Sequence, residues 1–307
     1  MLYILITLLL ALHSPFCDLD VYGLRYFLEN QFVSEVGLVR AATWAFPDNV
    51  TIFLTSDNLL AYTALGVLGS PLWFNVLEGL ISYGVYGDGL HEVLLGFNIP
   101  DNFREPIVFV IDSVHSVRFN SWLTIKVEQR YGSLIRNWYE YADLIVYRAL
   151  DSLLEGDLHY AERLFLKLMS MWDGYGFRDR AFNDIYETYK LALAIYLYRA
   201  LDAANSSIIR GYDSVIRRCY KIISSLQRGD GGIVTHYDVV DGVMVPSGDA
   251  NSETTSIVIL AIFSHYPEVI GKSARVYERS ISRYLLFVPA FLVLSLMLLC
   301  LRKYLTH

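Results

Sequence analysis

Apolar residues in this chain form continuous runs at both ends and periodic runs between them. Residues 284–301 (YLLFVPAFLVLSLMLLCL) carry no charge, with Arg283 before them and Arg302 and Lys303 after. That length predicts a membrane-spanning helix, which needs roughly 17–25 apolar residues. Residues 1–12 form a shorter run that suits the apolar region of a secretory signal or an uncleaved N-terminal anchor. Between the ends, β-branched and aromatic runs at 51–55, 107–111 and 122–127 predict short strands in the first half. Apolar spacing of three to four predicts helices over 58–68, 72–85, 142–155, 159–172, 185–204, 207–227 and 251–265. Most of these stop at Gly or Asp, and Pro267 follows the last.

The expected organisation is a signal-like segment (1–17), an extracytoplasmic body (18–283), one span (284–301) and a short cytoplasmic tail (302–307). This places the protein in the plasma membrane as a single-pass protein with its body outside. Lys272, Arg275, Arg279 and Arg283 crowd the near flank of the span. The positive-inside rule therefore does not set the orientation, and only the N-terminal run supports it. Triplets at Asn49 and Asn205 match the N-glycosylation pattern and agree with an outside location.

Charge narrows the partners. The chain has 25 Lys and Arg against 32 Asp and Glu, a net −7. An acidic body lacks the basic face that nucleic acid requires. Cys17, Cys219 and Cys300 are too few and too scattered for a disulfide framework or a CxxC metal site. No phosphate-binding loop, dinucleotide fingerprint, HExxH or GxSxG motif occurs. The histidines have no close pairing, and the four aspartates between 230 and 249 do not have EF-hand spacing. No metal and no cofactor is expected.

A loose repeat runs through the body. Asp-Gly turns recur at Asp88, Asp173 and Asp230, and residues 187–195 (ETYKLALAI) can be laid over 253–261 (ETTSIVILA). Repeated helix pairs, each burying one face on the next, predict a helical-hairpin array. SDNLLAYTAL at 56–65, QRGDGGI at 227–233 and NSETT at 251–255 resemble helix openings and turns of α/α-toroid proteins. The best match is the six-hairpin glycosidase-like superfamily, with the terpenoid-cyclase and prenyltransferase toroids as the nearest rival. The resemblance implies a mainly α body, an incomplete (α/α) toroid of four or five hairpins with a few short strands in its first half.

In such proteins the loops at the inner-helix starts converge on one mouth. The resemblance therefore implies a glycan site there, served by two carboxyl groups as glycoside hydrolysis requires. Asp57 and Glu253 are the first candidates, with Asp173 and Asp230 as substitutes; which is acid and which is base stays open. Asn58, Asn251, Trp44, Trp172, Tyr175 and His236 are candidates for binding, the aromatic rings as stacking faces for sugars. Each polar candidate also has a plain role as a helix cap or turn former. A non-catalytic module binding glycans or cell-surface proteins on the same scaffold is the alternative.

Overall fold

The computed structural model describes residues 19–42 and 51–264. Among these are eight α-helices and eight strands. In chain order they are α1 (Val21–Gln31), β1 (Phe32–Val33), β2 (Leu38–Val39), β3 (Thr51–Leu54), α2 (Thr55–Val67), α3 (Leu72–Tyr83), β4 (Ile107–Ser116) and β5 (Ser121–Gln129). There follow α4 (Ala142–Glu155), α5 (Leu158–Met169), β6 (Tyr186–Glu187), α6 (Thr188–Ala203), α7 (Asp213–Ser225), β7 (Val234–Val240), β8 (Val243–Ala250) and α8 (Ser252–Phe263).

Burial sorts the helices into two layers. In α8 every residue from Thr254 to Ile262 is buried, and α6 is buried almost continuously from Lys190 to Leu197. Helices apolar on all sides belong inside. In α7 only Ile216, Cys219, Ile222 and Ile223 are buried, one stripe at helical spacing, which marks an outer helix. Accordingly α2 packs on α8, α8 on α6 and α6 on α4, while α3, α5 and α7 cover α2, α4 and α6 from outside. A 3₁₀ turn, His91–Leu95, touches both α2 and α4.

Three sheets complete the body. β5 lies between β3, which it pairs in parallel, and β4, which it pairs antiparallel with a bulge at Ile111. β6, β7 and β8 form an antiparallel sheet, and β1 pairs with β2. The expectation of a mainly α toroid-like array with short strands in its first half is corrected here. The fold is mixed α/β, 49% helical and 22% strand. The reasons are local. The strand expected at 107–111 continues through the polar residues to Ser116 and becomes half of a long hairpin. The acidic tract 230–249 is largely the β7–β8 hairpin, closed by Asp241 and Gly242 at φ 52° and 78°. Positive φ at both central residues is the I′ pattern that suits Asp-Gly and matches strand twist.

Among the described residues no helix is long and apolar enough to cross a membrane. Residues 1–17, the expected span at 284–301, the tail and Trp44 lie outside the described residues.

One buried side chain ties the layers together. The Asn58 amide accepts from the Val39 N–H at 2.8 Å and donates to the Val39 and Leu54 carbonyls at 3.0 and 2.8 Å. Replacing it with the near-isosteric Leu leaves the two buried backbone groups of Val39 without this partner, at about 1 kcal/mol or more each. We expect Asn58→Leu to lower stability by at least about 2 kcal/mol in urea unfolding. A loss below about 1 kcal/mol would mean that water reaches these groups.

Candidate functional site

Three of the four inner helices begin where a strand has just ended. β3 runs directly into α2, β6 into α6, and β8 reaches α8 through Asn251 alone. Asn251 caps α8 by accepting from the Thr254 N–H at 2.7 Å. First turns present free N–H groups and the positive end of the helix dipole. Acids occupy them: Asp57 on α2, Asp143 on α4 and Glu253 on α8.

Beside these starts lies a cluster of ionisable groups. The Asp88-Gly89 turn builds it. Asp88 accepts from the Leu90 and His91 N–H groups at 2.8 and 2.9 Å, opening the 3₁₀ turn and aiming His91 inward. His91 Nε2 stands 3.3 Å from Glu253 Oε1, and its Nδ1 stands 3.5 Å from Asp88 Oδ2. The ring of Tyr147, from α4, meets the imidazole edge to face at 5.7 Å. Just past the end of β5, Arg130 pairs with Asp88 at 3.1 Å and with Glu128 at 3.2 Å. Glu92 accepts from the Gly89 N–H at 3.1 Å.

The charges set one another's protonation. Burial and the carboxylates of Glu253, Glu128 and Asp88 hold the Asp57 carboxyl well above the ordinary aspartate value. Burial also raises Glu253, opposed by His91 and assisted by Asp88 and Glu128. Asp88 goes the other way. Burial would raise it, but His91, Arg130 and two backbone N–H groups bring it down to about 2. Burial disfavours the imidazolium of His91, yet Asp88 and Glu253 outweigh this and hold it above its ordinary value. The pair Asp57 and Glu253 is therefore asymmetric. Asp57 is 5% exposed and favours the neutral acid; the Glu253 side chain is 32% exposed and touches an imidazole.

A second group adjoins the first. Lys190 of α6 is buried between Asp179, at 2.7 Å, and Glu187. Asp179 also accepts from the Ala142 N–H that opens α4, and Tyr189 donates to Asp143 at 3.1 Å. Among the described residues no three His, Cys, Asp or Glu side chains are grouped to hold a metal ion.

The remaining sequence candidates lie elsewhere. Asp173 accepts from the Tyr175 and Gly176 N–H groups and contacts Tyr186 and Arg178, both at 2.5 Å. Tyr175 is tied to Tyr237 through its carbonyl, and Trp172 packs on Phe177. His236 sits opposite Glu187 in the β6–β7 pairing, its Nδ1 2.7 Å from Thr235 Oγ1. Asp230 lines a separate open groove of about 460 Å³ with Asp20, Tyr22 and Tyr26 of the α1 region. Asn58 commits its amide to backbone, as described above.

Sequence reasoning missed Asp88, His91, Glu128, Arg130 and Tyr147 as site members. Two signals were present. His91 follows the Asp-Gly turn by three residues from Asp88, the reach of a capped turn. Glu128 and Arg130 alternate at a strand end and so share a face.

Asp57 gives a stability test. Below its unfolded value, near 3.8, both states are protonated and no penalty exists. As pH rises above that value the unfolded chain ionises and the folded one resists. Stability therefore falls by up to about 1.4 kcal/mol per pH unit until the raised folded value is passed. Asn cannot ionise and mimics the neutral acid. We expect Asp57→Asn to match the unsubstituted protein at pH 3 and to exceed its Tm by at least about 3 °C at pH 7. Equal Tm values at pH 7 would show that Asp57 is ionised in the folded protein.

No protein-family model, curated protein or solved structure matches this chain, so what the site does has to be argued from its geometry.

Proposed function

We propose that this protein is a membrane-anchored, extracytoplasmic hydrolase of glycans that works by acid–base catalysis at the Asp57–Glu253 site. The observation that carries this is the asymmetry of two interacting carboxyls, Asp57 almost fully buried and held well above its ordinary value, Glu253 partly open and paired with His91. Glycoside hydrolysis divides its labour in this way, with one carboxylic acid protonating the leaving oxygen and one carboxylate acting as base or nucleophile. Burial fits Asp57 to the role of the acid, and the His91 contact, which works against the rise that burial causes, fits Glu253 to that of the base or nucleophile. His91, held by Asp88, keeps Glu253 ionised to lower pH than burial alone would allow. The apolar run at 284–301 supports the anchor, and the N-terminal run supports the outside location.

A second reading, a non-catalytic module that binds a glycan or surface protein, is favoured by one observation. Asp57 is almost fully enclosed, and Asp88, His91, Arg130 and Glu128 already pair with one another.

A glycan panel assayed with the full-length protein separates the two. Positioned acid–base groups contribute roughly 10²–10⁴-fold. Asp57→Asn and Glu253→Gln should therefore each lower kcat/KM by at least about 100-fold on the glycan that is turned over. Activity should fall at high pH as Asp57 loses its proton, and at low pH as Glu253 gains one. Glu253→Gln should remove the acidic limb of the residual activity. Equal turnover by both variants would exclude these residues, and saturable binding with no turnover would establish the module.

A further inference from the structure

We propose that Asn205 is an acceptor for an N-linked glycan, carried on the turn that closes α6. Transfer to an Asn-X-Ser or Asn-X-Thr triplet needs a side-chain amide and a hydroxyl two residues on, both on the surface. Two such triplets occur in the chain, and the one at Asn49 lies outside the described residues. The turn after α6 presents the other. Asn205 and Ser207 are both exposed, while Ser206 between them is only 6% exposed. Ser206 Oγ donates to Glu162 of α5 at 2.5 Å and accepts from the Ile208 N–H at 3.3 Å. The middle residue is therefore the anchor, and its two neighbours stand clear of the body. Among the described residues neither the Asn205 amide nor the Ser207 hydroxyl has a hydrogen-bond partner.

The backbone accounts for the turn without using the asparagine side chain. Asn205 has φ 57°, in the left-handed region that ends many helices. Its N–H donates to the Asp202 carbonyl and the Ser206 N–H to the Leu201 carbonyl, both at 2.9 Å. The amide is left unused, and the serine two residues on completes the acceptor. The donor is a lipid-linked oligosaccharide diphosphate of the secretory pathway, with that membrane's transferase as catalyst. The bond from sugar C1 to the diphosphate oxygen breaks, and one from C1 to Asn205 Nδ2 forms. The amide proton goes to the departing lipid diphosphate. α6 is 16 residues long, roughly 24 Å at 1.5 Å per residue, and Lys190 lies near its start. A glycan at its end leaves the Asp57–Glu253 site uncovered. The inference rests on the outside location in the reading above and not on its chemistry.

Expression of the full-length chain carrying Asn49→Gln, in a host whose secretory pathway glycosylates such triplets, tests the proposal. One glycan-sized mass increase is expected in this background, and none after adding Asn205→Gly or Ser207→Ala. Glycine suits the left-handed turn and the Ser207 hydroxyl makes no bond, so both variants should fold with an unchanged melt. An N-glycosidase should release the glycan from the folded protein. A location control uses Val117→Cys in the same background, with Cys17 and Cys300 replaced by Ser. Val117 is 88% exposed and Cys219 is buried, so a membrane-impermeant maleimide on intact cells should label position 117. Labelling without a glycan would overturn the acceptor and leave the outside location standing. Neither label nor glycan would overturn both. A glycan that persists in either variant, or comes off only after denaturation, would also overturn the proposal.

Discussion

Gathering the first turns of four helices sets their positive dipole ends near one another, and the acids around those starts are what make that packing tolerable. α2, α4, α6 and α8 bring their first turns close together. This concentrates unpaired N–H groups and partial positive charge at one end of the body. Asp143 and Glu253 answer it directly, and Asp179 does so from a loop by taking the N–H that opens α4. The acids in turn exceed what the cations can neutralise. Around Asp57, the carboxyls of Asp88, Glu92, Glu128 and Glu253 meet His91 and Arg130 as their cationic partners among the described residues. Asp88 is bound to His91 and Arg130, so burial and the neighbouring carboxylates act on Asp57 and hold it well above its ordinary value. The proposed chemistry is a by-product of how the helices are stacked.

Legibility followed the range of each interaction. Helices with strong local signals were readable nearly to the residue, as with α4, which ends at Gly156 in the left-handed conformation. The first turns of α2 and α8 were readable because Asp57, Asn251 and Glu253 are capping and dipole residues whatever surrounds them. β7 and β8 were obscured because their polar residues resembled an acidic loop, although Asp241-Gly242 is a strong local turn signal. β6 is two residues long and exists only through its pairing with β7. The His91 cluster was the least readable. Its members come from a turn, a strand end and three helices, and only the tertiary fold brings them together.

The two sheets do different work at this end of the body. β5 delivers Glu128 and Arg130 to the cluster, and its partner β3 leads straight into Asp57. The β6–β8 sheet leads into Glu187 and Lys190 through β6, and into Glu253 through β8. Each sheet is thus braced against the first turn of a helix that carries an ionisable group.

Those direct junctions also govern how the chain can tolerate added length. With no spacer between Leu54 and Thr55 or between Glu187 and Thr188, and only Asn251 between Ala250 and Ser252, one extra residue would rotate a helix start by about 100°. It would also turn the acid of that first turn away from its neighbours. The hairpin turns at residues 117–120 and 241–242 carry no such coupling. Length variation among related chains, and any label spliced in by design, would be accommodated at these outer turns and refused at the junctions.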